Sequence, residues 1–411
     1  MHRAAPLLAL LLVVPAARAQ VVAREGKGWL EKNETGQLVL HLAGTPYEMG
    51  YQHGRLLKDE VRKNVERIYD NKTELAKSAE YQAYLGMRGL MHDMLRKHIP
   101  ERFKEEMRGL AEGAGLPYDQ VEAGNLFPEA FHCSGIALRG KHTSDGSLWH
   151  VRILDYMTKV GLQDSAVVMI VRPEGMRSWL NVGFAGFIGT VTGMNEDQVA
   201  IGEMGGGGVG YWDGVPMAFL IRDALERGET LAAAVEVFEQ SKRTCEYYYV
   251  VSDGKTRDAL GLWCTDEVFE RIGMGESYAL FQGMKPRKGA ADWKAFGRGV
   301  KVESDAHGVR FKGQNGVQGF IALQPEDALV LSGPDRYARF MEQLAARSGK
   351  VDGRALMEMC KRPVAMQSNL HVAIFHPETL EVWVAVAAPD GSPGCDQPYV
   401  RYVLEPAGGP K

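Results

Sequence analysis

The chain changes texture at Cys133, and that boundary constrains its fold more than any other feature of the sequence. Upstream, residues 20–132 carry apolar side chains mostly at helical spacing. Downstream, short β-rich runs alternate with turn residues and a few helices. Thr45-Pro46-Tyr47-Glu48 reads as a helix start: Thr caps, Pro takes the first turn, and Glu follows Thr by three. Leu57, Val61, Val65 and Ile68 then recur on one helical face. Further helices are expected over 81–97, from Pro100 onward, and from Pro117 toward Asn125, with a short strand at Leu38–Leu42. Beyond Cys133, strands are expected at 135–138, 148–153, 166–171 and 179–182, with a hairpin turn at Ser144-Asp145-Gly146. Helices at 216–227, 230–241 and 334–347 separate these from strands at 371–375 and 381–387. Strand blocks between helix blocks predict an α+β architecture with antiparallel sheets.

The 411 residues are 45% hydrophobic and 24% charged, which excludes collagen, low-complexity disorder and long coiled coil. With 48 basic and 52 acidic residues, the charge supports neither nucleic acid nor an anionic membrane as partner. His2 and Arg3 precede the apolar run Leu7–Val14, and Ala17-Arg18-Ala19 follows. Residues 1–19 therefore read as a signal peptide cut before Gln20, which predicts a periplasmic or secreted protein. Losing Arg3 and Arg18 takes the net charge from −4 to −6. No later stretch approaches ~20 apolar residues, so no membrane span is expected.

An oxidising compartment invites disulfides among Cys133, Cys245, Cys264, Cys360 and Cys395. Cys245 and Cys264 flank two strand-like runs joined through Asp253-Gly254, which suggests Cys245–Cys264, with Cys360–Cys395 as the second pair and Cys133 left over. Five buried free thiols are the alternative.

The chemistry converges on Cys133. If residue 133 starts a strand and the chain turns near 144, the end of the next strand returns beside it, bringing Arg152 and Asp155. A guanidinium lowers a thiol pKa, and a carboxylate orients an amine or imidazole. The same residues also fit a structural hairpin with an ion pair. No His-Glu-x-x-His or Cys-x-x-Cys occurs, so no metal is expected. The run Gly205–Gly208 lacks the Lys-Ser/Thr of a phosphate loop, and no cofactor is expected. No Gly-x-Ser-x-Gly occurs. Cys133 with His150, His307 or His371 would suit a papain-like enzyme, but the papain-type signature is missing.

Several segments carry a family resemblance: Ile99-Pro100-Glu101, Gly109–Tyr118, Asn125-Leu126, His132-Cys133-Ser134-Gly135, Gly44–Gly54 and Arg152-x-x-Asp155. Over roughly residues 38–387 the chain resembles the C45 (acyl-coenzyme A:6-aminopenicillanic-acid acyltransferase-like) group of N-terminal-nucleophile (Ntn) hydrolases. That group is related to choloylglycine hydrolases and acid ceramidase-type amidases. The resemblance implies a four-layer α-β-β-α sandwich of antiparallel sheets over residues 133–411, preceded by a helical pro-segment, residues 20–132, retained as a partner chain. It implies self-cleavage between His132 and Cys133. The Cys133 thiol would then be nucleophile, with its own α-amine as base, Asp155 orienting the amine and Arg152 holding thiol and substrate. The substrate would be a small-molecule acyl amide, its acyl group passing through a thioester to water or another amine.

The chain departs from the family at the oxyanion donors. Met194-Asn195-Glu196 is present, but glycine stands where an Asn is expected in Ile201-Gly202-Glu203-Met204-Gly205, leaving a backbone N–H such as that of Gly205. Tyr248 or Gln282 occupies the place of a second Asn. Glu203, Arg336 (in a late Arg element, Ser332–Tyr337) and Asn369 are further candidates for support or oxyanion contact. A phospholipase-like esterase on the same fold, or an inactive binding protein, are the alternatives.

Overall fold

The computed structural model of the chain describes residues 20–70, 79–126, 132–156, 158–206, 210–282, 301–312 and 318–406. The leader at 1–19 lies outside the described residues.

The upstream segment opens with β1 (Gln20–Glu25), β2 (Gly28–Lys32) and β3 (Leu38–Gly44). Helices α1 (Pro46–Leu56), α2 (Lys58–Asp70), α3 (Ala79–Leu95), α4 (Glu101–Ala114) and α5 (Tyr118–Leu126) follow. The expected capping box forms: Thr45 Oγ1 accepts from the Glu48 N–H, and Glu48 accepts from the Thr45 N–H at 2.8 Å. The single helix expected across Leu57 is two, because the chain breaks there at φ −123°, ψ 36°.

Next come β4 (His132–Leu138), β5 (Trp149–Asp155), β6 (Ala166–Pro173), β7 (Trp179–Phe184), β8 (Thr192–Asn195) and β9 (Val199–Gly205). Helices α6 (Met217–Arg227) and α7 (Leu231–Gln240) lead to β10 (Glu246–Asp253), β11 (Asp258–Thr265) and β12 (Phe269–Gly273). A small sheet holds β13 (Tyr278–Gln282), β14 (Lys301–Ser304), β15 (Gly308–Lys312) and β16 (Gln318–Ala322). The chain closes with β17 (Ala328–Leu331), α8 (Pro334–Arg347), α9 (Gly353–Met359), β18 (Asn369–His376), β19 (Glu381–Val386) and β20 (Val400–Val403).

Two large sheets face one another. One runs β1-β2-β3-β6-β7-β8-β9-β10-β11-β12, the other β17-β4-β5-β18-β19-β20. Alternate residues interdigitate between them: Leu180, Val182, Met194 and Ala200 from one meet Ala373, Phe375 and Val382 from the other. Helices α6 and α7 cover the first sheet and α9 lies against β18, giving the layered α+β sandwich. Among the described strands all pairings are antiparallel except β3 with β6, which is parallel over Leu38↔Val167 to Gly44↔Pro173. Three strands of the larger sheet therefore come from upstream of Cys133: β3, expected at Leu38–Leu42, and β1 and β2, which the helical reading of residues 20–132 did not anticipate.

Helices α1 and α4 touch backbone to backbone through a stripe of small residues. A Cβ on Gly54 would lie 2.5 Å from Leu110 O, and one on Gly113 2.5 Å from Tyr51 O. On Gly50 and Gly109 it would run into Glu106 O and Tyr47 O. Helix α4 is tied to α6 by a buried ionic cluster. Arg222 reaches Glu106 Oε2 at 2.6 Å and Glu226 Oε1 at 2.7 Å, and Arg102 also pairs with Glu226. Burial acts to raise both carboxyls; it wins at Glu106, whereas Arg222 and Arg102 hold Glu226 below its ordinary range.

The expected disulfides are not formed: all five cysteines are free and buried. In the β10–β11 ladder Tyr247, not Cys245, stands opposite Cys264. Cys245 precedes β10 with φ +45°, its N–H on Tyr211 O, two residues out of register. Burial raises the thiols of Cys360 and Cys395, the latter to about 11, which disfavours the thiolate that oxidation requires.

Candidate active site

The β4–β5 ladder builds the site. His132 pairs with Asp155, Cys133 with Leu154 and Gly135 with Arg152, one residue off the simple hairpin expectation that put 133 beside 155. Arg152 and Asp155 are thus both brought to Cys133. His132 opens β4, and its side chain lies outside the described residues. Cys133 is 7% exposed. Burial pushes its thiol up to about 11; Arg152 pulls it down, Glu203 and Asp155 push it up, and the Asp155 backbone N–H helps the thiolate.

Arg152 is fully buried and crosses β9 at Gly202, where a Cβ would lie 2.8 Å from its Cδ. Its guanidinium meets Glu203 Oε2 at 3.1 Å and donates to Ile153 O. Glycine at 202 is therefore the space through which Arg152 passes. Gly135 makes similar room: a Cβ there would meet Met204 and Val250. Gly205 closes β9 opposite Tyr247.

Asp155 is held on three sides. Oδ1 accepts from the Met366 N–H at 3.0 Å and from Asn369 Nδ2 at 3.1 Å, while Oδ2 pairs with Arg336 at 2.8 Å. Burial raises its carboxyl against the pull of Arg336 and those donors. Asn369 Nδ2 also faces Leu154 O and His371 O, each at 3.1 Å, at the bulge where β18 meets β5. Its amide hydrogens are engaged within the fold. Arg336, at the start of α8, donates as well to Ser134 Oγ, which lies 2.6 Å from Ser332 Oγ. The sequence signalled Arg336 only through the late Arg element; Ser134 and Ser332 carry no local signal, because 198 residues separate them.

None of the three candidate histidines, His371, His150 and His307, is placed to act as a base for Cys133. His371 is two strands from Cys133, about 10 Å at the usual spacing, with Nε2 3.0 Å from Thr192 Oγ1. His150 Nδ1 lies 2.7 Å from Ser252 Oγ, and burial drives its pKa to about 3. His307 sits in the small sheet's β14–β15 turn, where its N–H caps Asp305. Among the described residues, no group of three or more His, Cys, Asp or Glu could hold a metal ion, and no helix is long and apolar enough to cross a membrane.

A cavity opens beside this ladder. Leu154, Tyr156, Leu370, Phe184, Phe187 and Val191 line it from the sheets, and Asn64, Ile68 and Gly124 from α2 and α5. It holds about 480 Å³, counting the mouth open to solvent.

Comparison with known proteins finds several relatives of this chain. Protein dcd1A of Dictyostelium discoideum is 28% identical over 250 residues, covering 53% of this chain and 56% of its own. The N-acylethanolamine-hydrolyzing acid amidase of Mus musculus is 24% identical over 190 residues (44% and 51%). The acid ceramidase of Balaenoptera acutorostrata scammoni is 26% identical over 184 residues (38% and 46%). The chain is thus similar to acid amidases and acid ceramidases, in keeping with the Ntn-hydrolase resemblance of its motifs. It spans about half the length of the curated relatives it matches. No family model matches it. Of these three relatives, one is an amide-hydrolysing amidase by name and one a ceramidase.

Proposed function

We propose that the protein is an exported cysteine amidase that activates itself by cutting between His132 and Cys133. The observation that carries this reading is the convergence of Arg152 and Asp155 on a cysteine at the start of a strand, with His150, His307 and His371 each placed elsewhere in the fold. In the uncut chain the thiol attacks the His132 carbonyl; the C–S bond forms, the C–N bond breaks, and water releases His132. Cys133 then owns an α-amine. Such an amine titrates at ~7.7–8.0, close to working pH and placed covalently beside the sulfur. It takes the thiol proton as sulfur attacks the substrate carbonyl and returns it to the departing amine; water then hydrolyses the thioester.

Asp155, fixed by Met366, Asn369 and Arg336, orients the new ammonium. Arg152, fixed by Glu203, stabilises the thiolate and the nearby negative charge. With the Asn369 amide engaged, backbone N–H groups such as that of Gly205 are the oxyanion donors. The apolar cavity takes the acyl group, so the substrate is a small-molecule amide with an apolar acyl part. Residues 20–132 remain as the partner chain, and residues 1–19 direct export.

Intact-mass analysis of purified protein tests the reading. Two fragments divided at His132–Cys133, with cutting abolished in Cys133→Ala, are expected. A single chain that stays whole on long incubation refutes self-cleavage. Turnover of N-acyl amides by the cut form is expected to exceed that of matching esters; the reverse selects an esterase, and neither selects a binding protein.

A further inference from the structure

Helix α2 presents Val61, Val65 and Ile68 to the interior, and Asn64 stands among them where an apolar residue would bury more simply. Asn64 is 2% exposed. Its Nδ2 donates to Ala185 O at 2.8 Å. A carbonyl accepts only from a donor, so this contact fixes the amide's orientation and turns Oδ1 the other way. Among the described residues nothing donates to Oδ1. Asn64 also lines the cavity beside Leu154, the residue opposite Cys133. An acceptor buried in an apolar wall costs free energy unless something satisfies it.

We propose that Asn64 Oδ1 is a selectivity contact for a hydrogen-bond donor, a hydroxyl or N–H, carried within the otherwise apolar acyl part of the substrate. The proposal rests on the acyl-cavity reading above. A tether for Ala185 needs only the Nδ2 half of the amide; the unpartnered oxygen belongs to a residue that lines the cavity and is left over for a ligand. A plain alkyl chain seated there would bury the acceptor unpaired, whereas a chain with a donor at the right carbon would pair it. Polar sites discriminate in this way against analogues that lack the matching group.

The test separates binding from turnover. The uncut Cys133→Ala chain is titrated calorimetrically with the N-methyl amide of octanoic acid, its mono-hydroxylated isomers and their methyl ethers. One hydroxylated isomer is expected to bind about tenfold more tightly than both its ether and the plain chain, the worth of one buried neutral hydrogen bond. Adding Asn64→Leu is expected to erase that preference while the plain chain binds at least as well. Equal binding of plain and hydroxylated chains, no binding by any, or a preference that survives Asn64→Leu overturns the proposal. If Asn64→Leu does not fold, the hydroxyl-against-ether comparison on the Asn64 chain decides alone. Failure of the cut protein to hydrolyse these amides, with the binding preference intact, overturns the amidase reading and leaves this one standing.

Discussion

Burial keeps the Cys133 thiol neutral in the uncut chain. With its pKa raised to about 11, it is protonated at every lower pH, and only about one in a thousand is thiolate at pH 8. In a partly cut sample, iodoacetamide at pH 7.5 is therefore expected to label Cys133 in the cut form and spare it in the uncut one. Labelling of uncut chains should climb about tenfold per pH unit toward pH 10; equal labelling of both forms by mass spectrometry would contradict this. Arg152 and Glu203 invite a second measurement. Both are fully buried, so Glu203→Gln leaves a guanidinium without its counter-charge and is expected to cost about 3–5 kcal/mol in denaturant unfolding. The pair Arg152→Met with Glu203→Leu should recover most of that stability and none of the activity. Arg152 and Asp155 were legible because strand register is local arithmetic around one turn. Asn64, Ser134 and Ser332 were not, since their partners arrive from distant segments.

At the scale of elements, the contact between α1 and α4 shows how little free space the upstream segment has. Gly109→Ala drives a methyl into the backbone of α1 and is expected to cost about 3 kcal/mol, the upper range for overpacking. Gly86→Ala, on the exposed part of α3 with nothing within 4 Å, should instead stabilise by about 0.5–1 kcal/mol. Thermal unfolding of the two variants with opposite signs checks this; a Gly109→Ala chain as stable as the parent refutes the close approach. The Thr45 capping box was readable because capping depends on residues three apart. The break at Leu57 was not, because Leu57 is buried and continues the apolar face on both sides of the break. Strands β1 and β2 escaped notice for a related reason: β1 is largely exposed at the sheet edge and offers only a weak alternation to read.

Across the whole molecule, the bond before Cys133 divides a chain whose two parts share one sheet. Strand β3 lies in the middle of the ladder against β6, and α4 is locked to α6 through Arg222. The cut protein is expected to elute as one species in gel filtration and to come apart only in denaturant; elution of two species under native conditions would refute the shared sheet. Residues 133–411 produced alone would leave the β6 edge bare and should aggregate.

The parallel β3–β6 pairing has one more outcome. A parallel neighbour cannot be supplied by a short hairpin; it is delivered by the long stretch of chain between residues 44 and 166, a connection that the proposed self-cleavage would sever. Before the cut, closing the sheet is an intramolecular event. After such a cut, the same closure would need two chains to meet, so the cut protein once unfolded would return at a rate that falls with dilution. The lifetime of a chain cut there would then depend on how slowly it opens, not on how well it can fold again.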